Sequence, residues 1–223
     1  MSTDRELVYG RRPVAEAKRG KRRVLAVHTA PEVSPDRLSS MASTEDHQGV
    51  VAEVEPYPYA DGETVLDPAD SPLIIALDQV QDPRNLGAVC RSAEVFGARA
   101  VVIPERRSAS VTPVVCKTSA GAVEHLDVAR VRNLADWLAR AKEKGFWVFG
   151  TAAEGGVPPW EVDLTEPTVL VLGAEGKGLR PRVADSCDGV MTLPGTGTVD
   201  SLNVSAAAAA LACEASRQRS TAK

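Results

Sequence analysis

At 223 residues, 43% of them hydrophobic and 25% charged, the chain has enough apolar material for one substantial core with a small module attached. A formal net charge of −4 argues against a uniformly basic nucleic-acid binder. No run reaches the apolar length of a membrane-spanning helix, and the charged amino terminus lacks a signal-peptide core, which points to the cytoplasm.

The first elements are predicted from charge and short apolar runs. Residues 1–23 carry eight Lys/Arg against three acids, whereas residues 32–70 carry ten acids against Arg37 alone. A basic arm on a nearly neutral body suits phosphate contact, although a solvated charge run would look the same. Arg19, Lys21, Arg22 and Arg23 are expected to carry that contact. The pattern predicts a helix over 8–18 and strands over 23–28 and 49–54. That makes a module, 1–56, too small to bury much by itself. Pro56-Tyr-Pro-Tyr-Ala-Asp-Gly and Asp67-Pro-Ala-Asp-Ser-Pro are turn-rich, so 57–71 is expected to be a linker.

From 72 to 223 apolar strands alternate with helices. Strands are predicted over 73–77, 100–103, 146–149, 168–172 and 190–193. One helix starts at Asp82-Pro83, an N-cap and first-turn proline, and stops at Gly97. A second starts at Asn133, places Leu134, Trp137, Leu138 and Ala141 on one face, and ends at Gly145. A third follows Ser205 through an alanine-rich stretch. Short apolar strands between helices predict an α/β fold, a mostly parallel sheet with helices on both faces. Its binding loops then lie at the carboxyl ends of the strands.

Three polar loops sit at or near such ends: Asp82-Pro-Arg-Asn-Leu-Gly-Ala-Val-Cys-Arg, Leu172-Gly-Ala-Glu-Gly-Lys-Gly-Leu, and Gly195-Thr-Gly-Thr-Val-Asp-Ser-Leu-Asn-Val-Ser. Together they suggest a composite site for a substrate and a nucleotide-like cofactor. The first strand lacks the GxGxxG that a Rossmann dinucleotide site needs, and the second loop lacks P-loop spacing. Cys90, Cys116, Cys187 and Cys213 and the three histidines show neither metal-ligand spacing nor a disulfide framework, so no metal is expected.

The order Asn85-x-Gly87-x-x-x-Arg91-x-Ala93, Leu172-Gly-x-Glu175-Gly-x-Gly178 and Ser201-Leu-Asn203-Val-Ser205, with Ser119-Ala-Gly-Ala122 between the first two, resembles the SpoU (TrmH-like) branch of the SPOUT RNA 2′-O-methyltransferases. Val8-Tyr-Gly-Arg-Arg-Pro-Val and His47-Gln-Gly-Val-Val resemble the substrate-binding domain of the subgroup that modifies 23S ribosomal RNA. The resemblance implies a C-terminal deep trefoil knot, a small L30e-like amino-terminal domain, a homodimer, and methyl transfer from S-adenosylmethionine to a ribose 2′-oxygen of RNA. It implies cofactor contacts at Leu172, Gly173, Gly178, Leu193, Leu202 and Ser205. It implies a reaction centre of Arg91, Asn85, Glu175, Ser201 and Asn203.

A 2′-hydroxyl is a weak nucleophile whose proton must leave as it attacks, and in-line attack makes positioning a large part of the task. A guanidinium stays protonated, so Arg91 is expected to clamp the neighbouring phosphate, with that phosphate or a water taking the proton. Plainer roles exist for each residue: an Arg91–Glu94 surface pair, helix caps at Asn203 and Glu175, and solvent or phosphate for Lys177 and Arg180. Only about 18 residues separate the strand at 23–28 from His47, so the amino-terminal domain is abbreviated relative to the subgroup. Two further substrates or roles stay open: a tRNA or resistance-type ribosomal target, and a catalytically silent RNA-binding or ribosome-assembly factor. Low aromatic content argues against a base-stacking single-strand binder.

Overall fold

The structure is a computed structural model that describes residues 5–198 and 201–221; Val199 and Asp200 of the third polar loop lie outside the described residues. An antiparallel sheet comes first, from β1 (Glu6–Tyr9), β2 (Val24–Thr29) and β3 (Val50–Val54), with α1 (Arg11–Ala17) and α2 (Pro35–Ala42). β4 (Ala60–Asp61) follows, then β5 (Leu73–Asp78), α3 (Pro83–Val95), β6 (Ala100–Pro104), α4 (Pro113–Thr118), β7 (Asp127–Val131), α5 (Leu134–Glu143) and β8 (Trp147–Thr151). The chain continues through β9 (Thr168–Gly173), α6 (Pro181–Ala184), β10 (Gly189–Met191) and α7 (Val204–Thr221). The larger sheet is parallel, in the order β10-β8-β9-β5-β6-β7-β4.

Central strands of a parallel sheet are covered on both faces, which explains why β5 is apolar until its last residue and buried throughout. Ile75, Leu77, Leu170 and Leu172 pack with Leu86 and Val89 of α3 and Leu211 of α7 on one face. Ile74, Val169 and Val171 pack with Trp137 and Leu138 of α5 on the other. The register β5–β9 ends with Asp78 beside Gly173, so two of the motif loops leave the sheet side by side.

Where the sequence carried strong caps, its elements are found. Asp82 caps α3 through Arg84 N at 2.7 Å, and Asn133 caps α5. Gly97 and Gly145, with φ of 73° and 88°, follow the ends of those helices. The helix expected over 8–18 is instead a strand and a shorter helix. Residues 6–9 pair antiparallel with β3, and Gly10 at φ 96° makes the break. β7 was not expected because Asp127 and Arg130 occupy its exposed positions and interrupt the apolar run. The segment expected to be only a linker supplies the edge strand β4, and Gly62 O accepts the indole N–H of buried Trp137 at 2.8 Å.

Two cations of the basic arm are tied to the larger domain, Arg22 buried and Lys21 at the surface. Arg22 is 4% exposed; its Nε donates to Glu124 Oε2 at 3.1 Å, its Nη1 to Glu6 Oε2 at 3.1 Å, and its Nη2 to Glu124 Oε1 and to Cys116 Sγ. Lys21 Nζ donates to Leu126 O at 2.8 Å and Asp127 Oδ1 at 2.9 Å. Tyr57 Oη donates to Val123 O at 2.8 Å, and His125 pairs with Glu16 at 2.9 Å. A Cβ at Gly121 would stand 2.5 Å from that of Glu16, and one at Gly20 would run into Glu124. The Ser119-Ala-Gly-Ala segment is thus the seat on which the amino-terminal module docks. Lys21 and Arg22, expected to meet phosphate, hold that seat instead, because their carboxylate partners lie a hundred residues further along the chain.

Candidate active site

The site forms where β5 and β9 end and where α3 and α7 begin. Pro83 and the Asp82 cap set the first turn of α3 and so place Asn85 at its start. Asn85 Nδ2 donates to Glu175 Oε1 at 3.1 Å. Asn203 Nδ2 donates to Asn85 Oδ1 at 3.0 Å and also to Glu175 Oε1. Asn203 Oδ1 accepts from Ser205 N at 2.8 Å and Ser205 Oγ at 2.6 Å, which caps α7. A carboxylate only accepts, so both amides must turn Nδ2 toward Glu175, and the whole ring has one orientation. Asn203 is therefore a cap and a ring member at once, while Glu175 joins loops rather than capping a helix.

Glycine geometry shapes the second loop. Gly176 and Gly178 have φ of 71° and 64°, and a Cβ at Gly173 would collide with the Gly178 backbone. The loop is tied down by Asp78, whose side chain is fully buried: Arg180 N and Nε both donate to it at 2.8 Å. Arg180 is therefore an anchor and not a solvated cation. Asp78 was missed from sequence, although a lone carboxylate ending an apolar strand was its signal.

A cavity of about 370 Å³ opens between the loops. Its wall includes Leu172, Gly173, Glu175, Gly178, Leu193, Ser201 and Leu202, all expected from the motifs, and Thr151, Ala152 and Met191, which were not. Ser205 is not part of that wall; its hydroxyl belongs to the Asn203 cap. Apolar side chains and close backbone, with few polar groups converging at one rim, suit a small ligand with a flat apolar part. Arg91 stands apart. It is exposed, six residues beyond Asn85 on α3, about 9 Å along the axis and roughly 120° round it. Among the described residues no hydrogen bond or ion pair holds its guanidinium, and no pair with Glu94 forms.

Comparison with known proteins gives a consistent picture. The SpoU rRNA Methylase family profile matches residues 72–213, and the profile for RNA 2′-O ribose methyltransferase substrate binding matches residues 29–60. An uncharacterized tRNA/rRNA methyltransferase of Synechocystis is 44% identical over 84% of this chain and 50% of its own length. A 23S rRNA (guanosine-2′-O-)-methyltransferase, RlmB, of Pseudomonas syringae is 46% identical over 78% of this chain and 71% of its own. The chain thus spans half the length of the cyanobacterial relative. The crystal structure of the SpoU methyltransferase AviRb from Streptomyces viridochromogenes, in complex with the cofactor AdoMet, superposes with a TM-score of 0.80 at 27% identity, covering 96% of this chain and 90% of that one.

Proposed function

The chain belongs to the SpoU rRNA Methylase family, and on that premise we propose that it is a cytoplasmic, homodimeric enzyme that methylates a ribose 2′-oxygen of 23S ribosomal RNA with S-adenosylmethionine. The observation that carries this reading is the Asn85–Glu175–Asn203 ring on the rim of a cavity walled by glycine-loop backbone. The cavity fits such a cofactor. Leu193, Leu202 and Met191 offer apolar surface to an adenine, and the bare backbone at Gly173 and Gly178 permits close approach. When bound there, S-adenosylmethionine supplies an electrophilic methyl group on a sulfonium.

The chain's own residues do the rest. Glu175, held by two amides, fixes the rim against which a ribose is placed. Ser201, exposed on the cavity wall, offers a hydroxyl to that ribose. Arg91 holds the adjoining phosphate bidentately, and that phosphate or a water accepts the 2′-proton. Asn203 connects the ribose rim to the start of α7, so ring and helix are set together.

The 23S target draws support from the substrate-binding profile over 29–60 and from the Pseudomonas relative. Residues 1–56 act as the RNA-binding domain, 57–71 connect, and 72–223 carry the chemistry. The knot is assigned to the carboxyl-terminal segment that builds loop 174–180 and then returns to set α7 against α3. A second copy is supported by the exposed small row Ala206, Ala210 and Cys213 on α7 and by Val95, 65% exposed, on the adjacent α3. The test is transfer of labelled methyl from cofactor to total RNA, followed by mapping. Label at a 23S ribose 2′-oxygen is expected. Label confined to tRNA would replace the substrate, and no label would leave the silent RNA-binding factor.

A further inference from the structure

The basic arm is left with Arg5, Arg11, Arg12, Lys18, Arg19 and Arg23 exposed once Lys21 and Arg22 are committed to docking, with Arg5 paired to Glu53 and Arg19 to Glu16. A second cavity, about 410 Å³, lies beside two of them, between α1 and the strands β2 and β3. Its floor is apolar, from Val14, Val27 and Val50. Arg11 and Lys18, seven residues apart and so on one face of α1, stand about 10 Å apart along its wall. Gln48 forms the lip. This residue belongs to the His47-Gln-Gly motif, which the proposed chemistry leaves without a task, and it sits in the left-handed region at φ 55°. Its Oε1 accepts Arg11 N at 3.1 Å, so the amide is oriented, and among the described residues nothing accepts from its Nε2.

We propose that this slot binds one unstacked nucleotide of single-stranded RNA, with the base against the valine floor, flanking phosphates on Arg11 and Lys18, and a base acceptor on Gln48 Nε2. This deepens the RNA methyltransferase reading and rests on it. An unstacked base presents an apolar face and a polar edge together, and RNA is read mainly where bases are splayed out of a helix. Aliphatic walls take the part that aromatic rings play elsewhere. The oriented amide offers one donor, and every base carries an acceptor to meet it, so the slot reads the presence of an unstacked base and not its identity. The Arg22–Glu124 dock fixes the slot relative to the cavity at the ends of β5 and β9, so this nucleotide is an anchor at a set distance from the methylated ribose.

The test uses the full chain with fluorescent single-stranded oligouridylate and a duplex of the same length, across a range of salt. Ala15 is exposed on the slot wall, and Ala15→Leu fills the slot without altering charge. Ala15→Leu is expected to weaken single-strand binding about tenfold at an unchanged salt slope. Arg11→Gln with Lys18→Gln is expected to flatten the log–log slope by about 1.4, roughly 0.7 for each single-strand phosphate released. Gln48→Leu should weaken oligouridylate and oligoadenylate binding alike by a few-fold, the loss of one neutral hydrogen bond. An unaffected affinity in Ala15→Leu, an unaffected slope in the double variant, equal binding of the duplex, or displacement by polyglutamate but not by oligouridylate would each overturn the slot. Absence of methyl transfer by the wild-type chain would instead overturn the enzymatic reading, because these binding measurements need no turnover.

Discussion

Two polar clusters each join residues far apart in the chain, and they are built differently. The dock holds Arg22 and Glu124 with side chains 1% and 0% exposed, charge against charge, with Glu6 completing the guanidinium's partners. The ring at the cavity holds one carboxylate between two amides, exposed to solvent, with no cation on Glu175 among the described residues. The first arrangement leaves nothing for a ligand to bond. The second is oriented but keeps Glu175 Oε2 and the Ser201 hydroxyl available. Buried and saturated polar groups mark where domains are held; oriented and open ones mark where a substrate enters.

The sharpest way to break that contrast is to remove one charge from the dock. Glu124→Ala leaves the buried guanidinium with Glu6 as its one carboxylate and is expected to lose about 3 kcal/mol of stability in urea unfolding, while Arg22→Met with Glu124→Leu recovers most of it. A small loss from Glu124→Ala would mean that the dock opens freely to water. At the ring side, Arg91→Ala should cut methyl transfer about a hundredfold or more with stability and cofactor affinity unchanged. Arg91→Lys should rescue little, because an ammonium cannot make the planar bidentate contact. Single-turnover assays and calorimetry check both, and lost cofactor affinity would remove Arg91 from the phosphate role.

A smaller effect separates the two jobs of Asn203. Asn203→Ala removes the α7 cap, for about 1 kcal/mol in thermal melting, and breaks the ring. Asn203→Ser keeps a capping oxygen but cannot span to Glu175, so it should restore melting and not transfer. Smallest is a labelling pattern. Burial pushes the Cys90 thiol up to about 12 and the Cys116 thiol up to about 11, whereas Cys213 is exposed. Iodoacetamide at pH 8 should leave both Cys90 and Cys116 unmodified in the wild type, and Cys213 should react only where the second copy leaves it uncovered, read by peptide mass. In Glu124→Ala, Cys116 should become reactive, since its sulfur accepts Arg22 Nη2 inside the dock.

What the sequence disclosed, and what it hid, follows from distance along the chain. β5, β6, β8 and β9 announced themselves by continuous apolar runs, and α3 and α5 by caps and glycine stops, all of them local signals. The ring residues were found through the family's motifs, and the plain roles offered for Asn203 and Glu175 were only partly right, because hydrogen bonds across 118 and 28 residues decide them. The second half of strand β1 was absorbed into a helix because a four-residue strand without alternation is too short to outweigh the helical spacing after it. Arg22 was assigned to RNA because its charge is visible in sequence and its partner at 124 is not.

The ring also sets when a newly made chain acquires its site. Its three corners are residues 85, 175 and 203, and the last is held by a helix that closes on α3 with Ala208, Leu211 and Ala215. During synthesis the slot-bearing module and most of the large sheet emerge first. At about 5–20 residues per second, the 40 residues from Glu175 to Ala215 take about 2 to 8 s more. With the slot proposed above, the nascent chain would for that interval hold RNA through its first domain before the proposed methyl-transfer site exists.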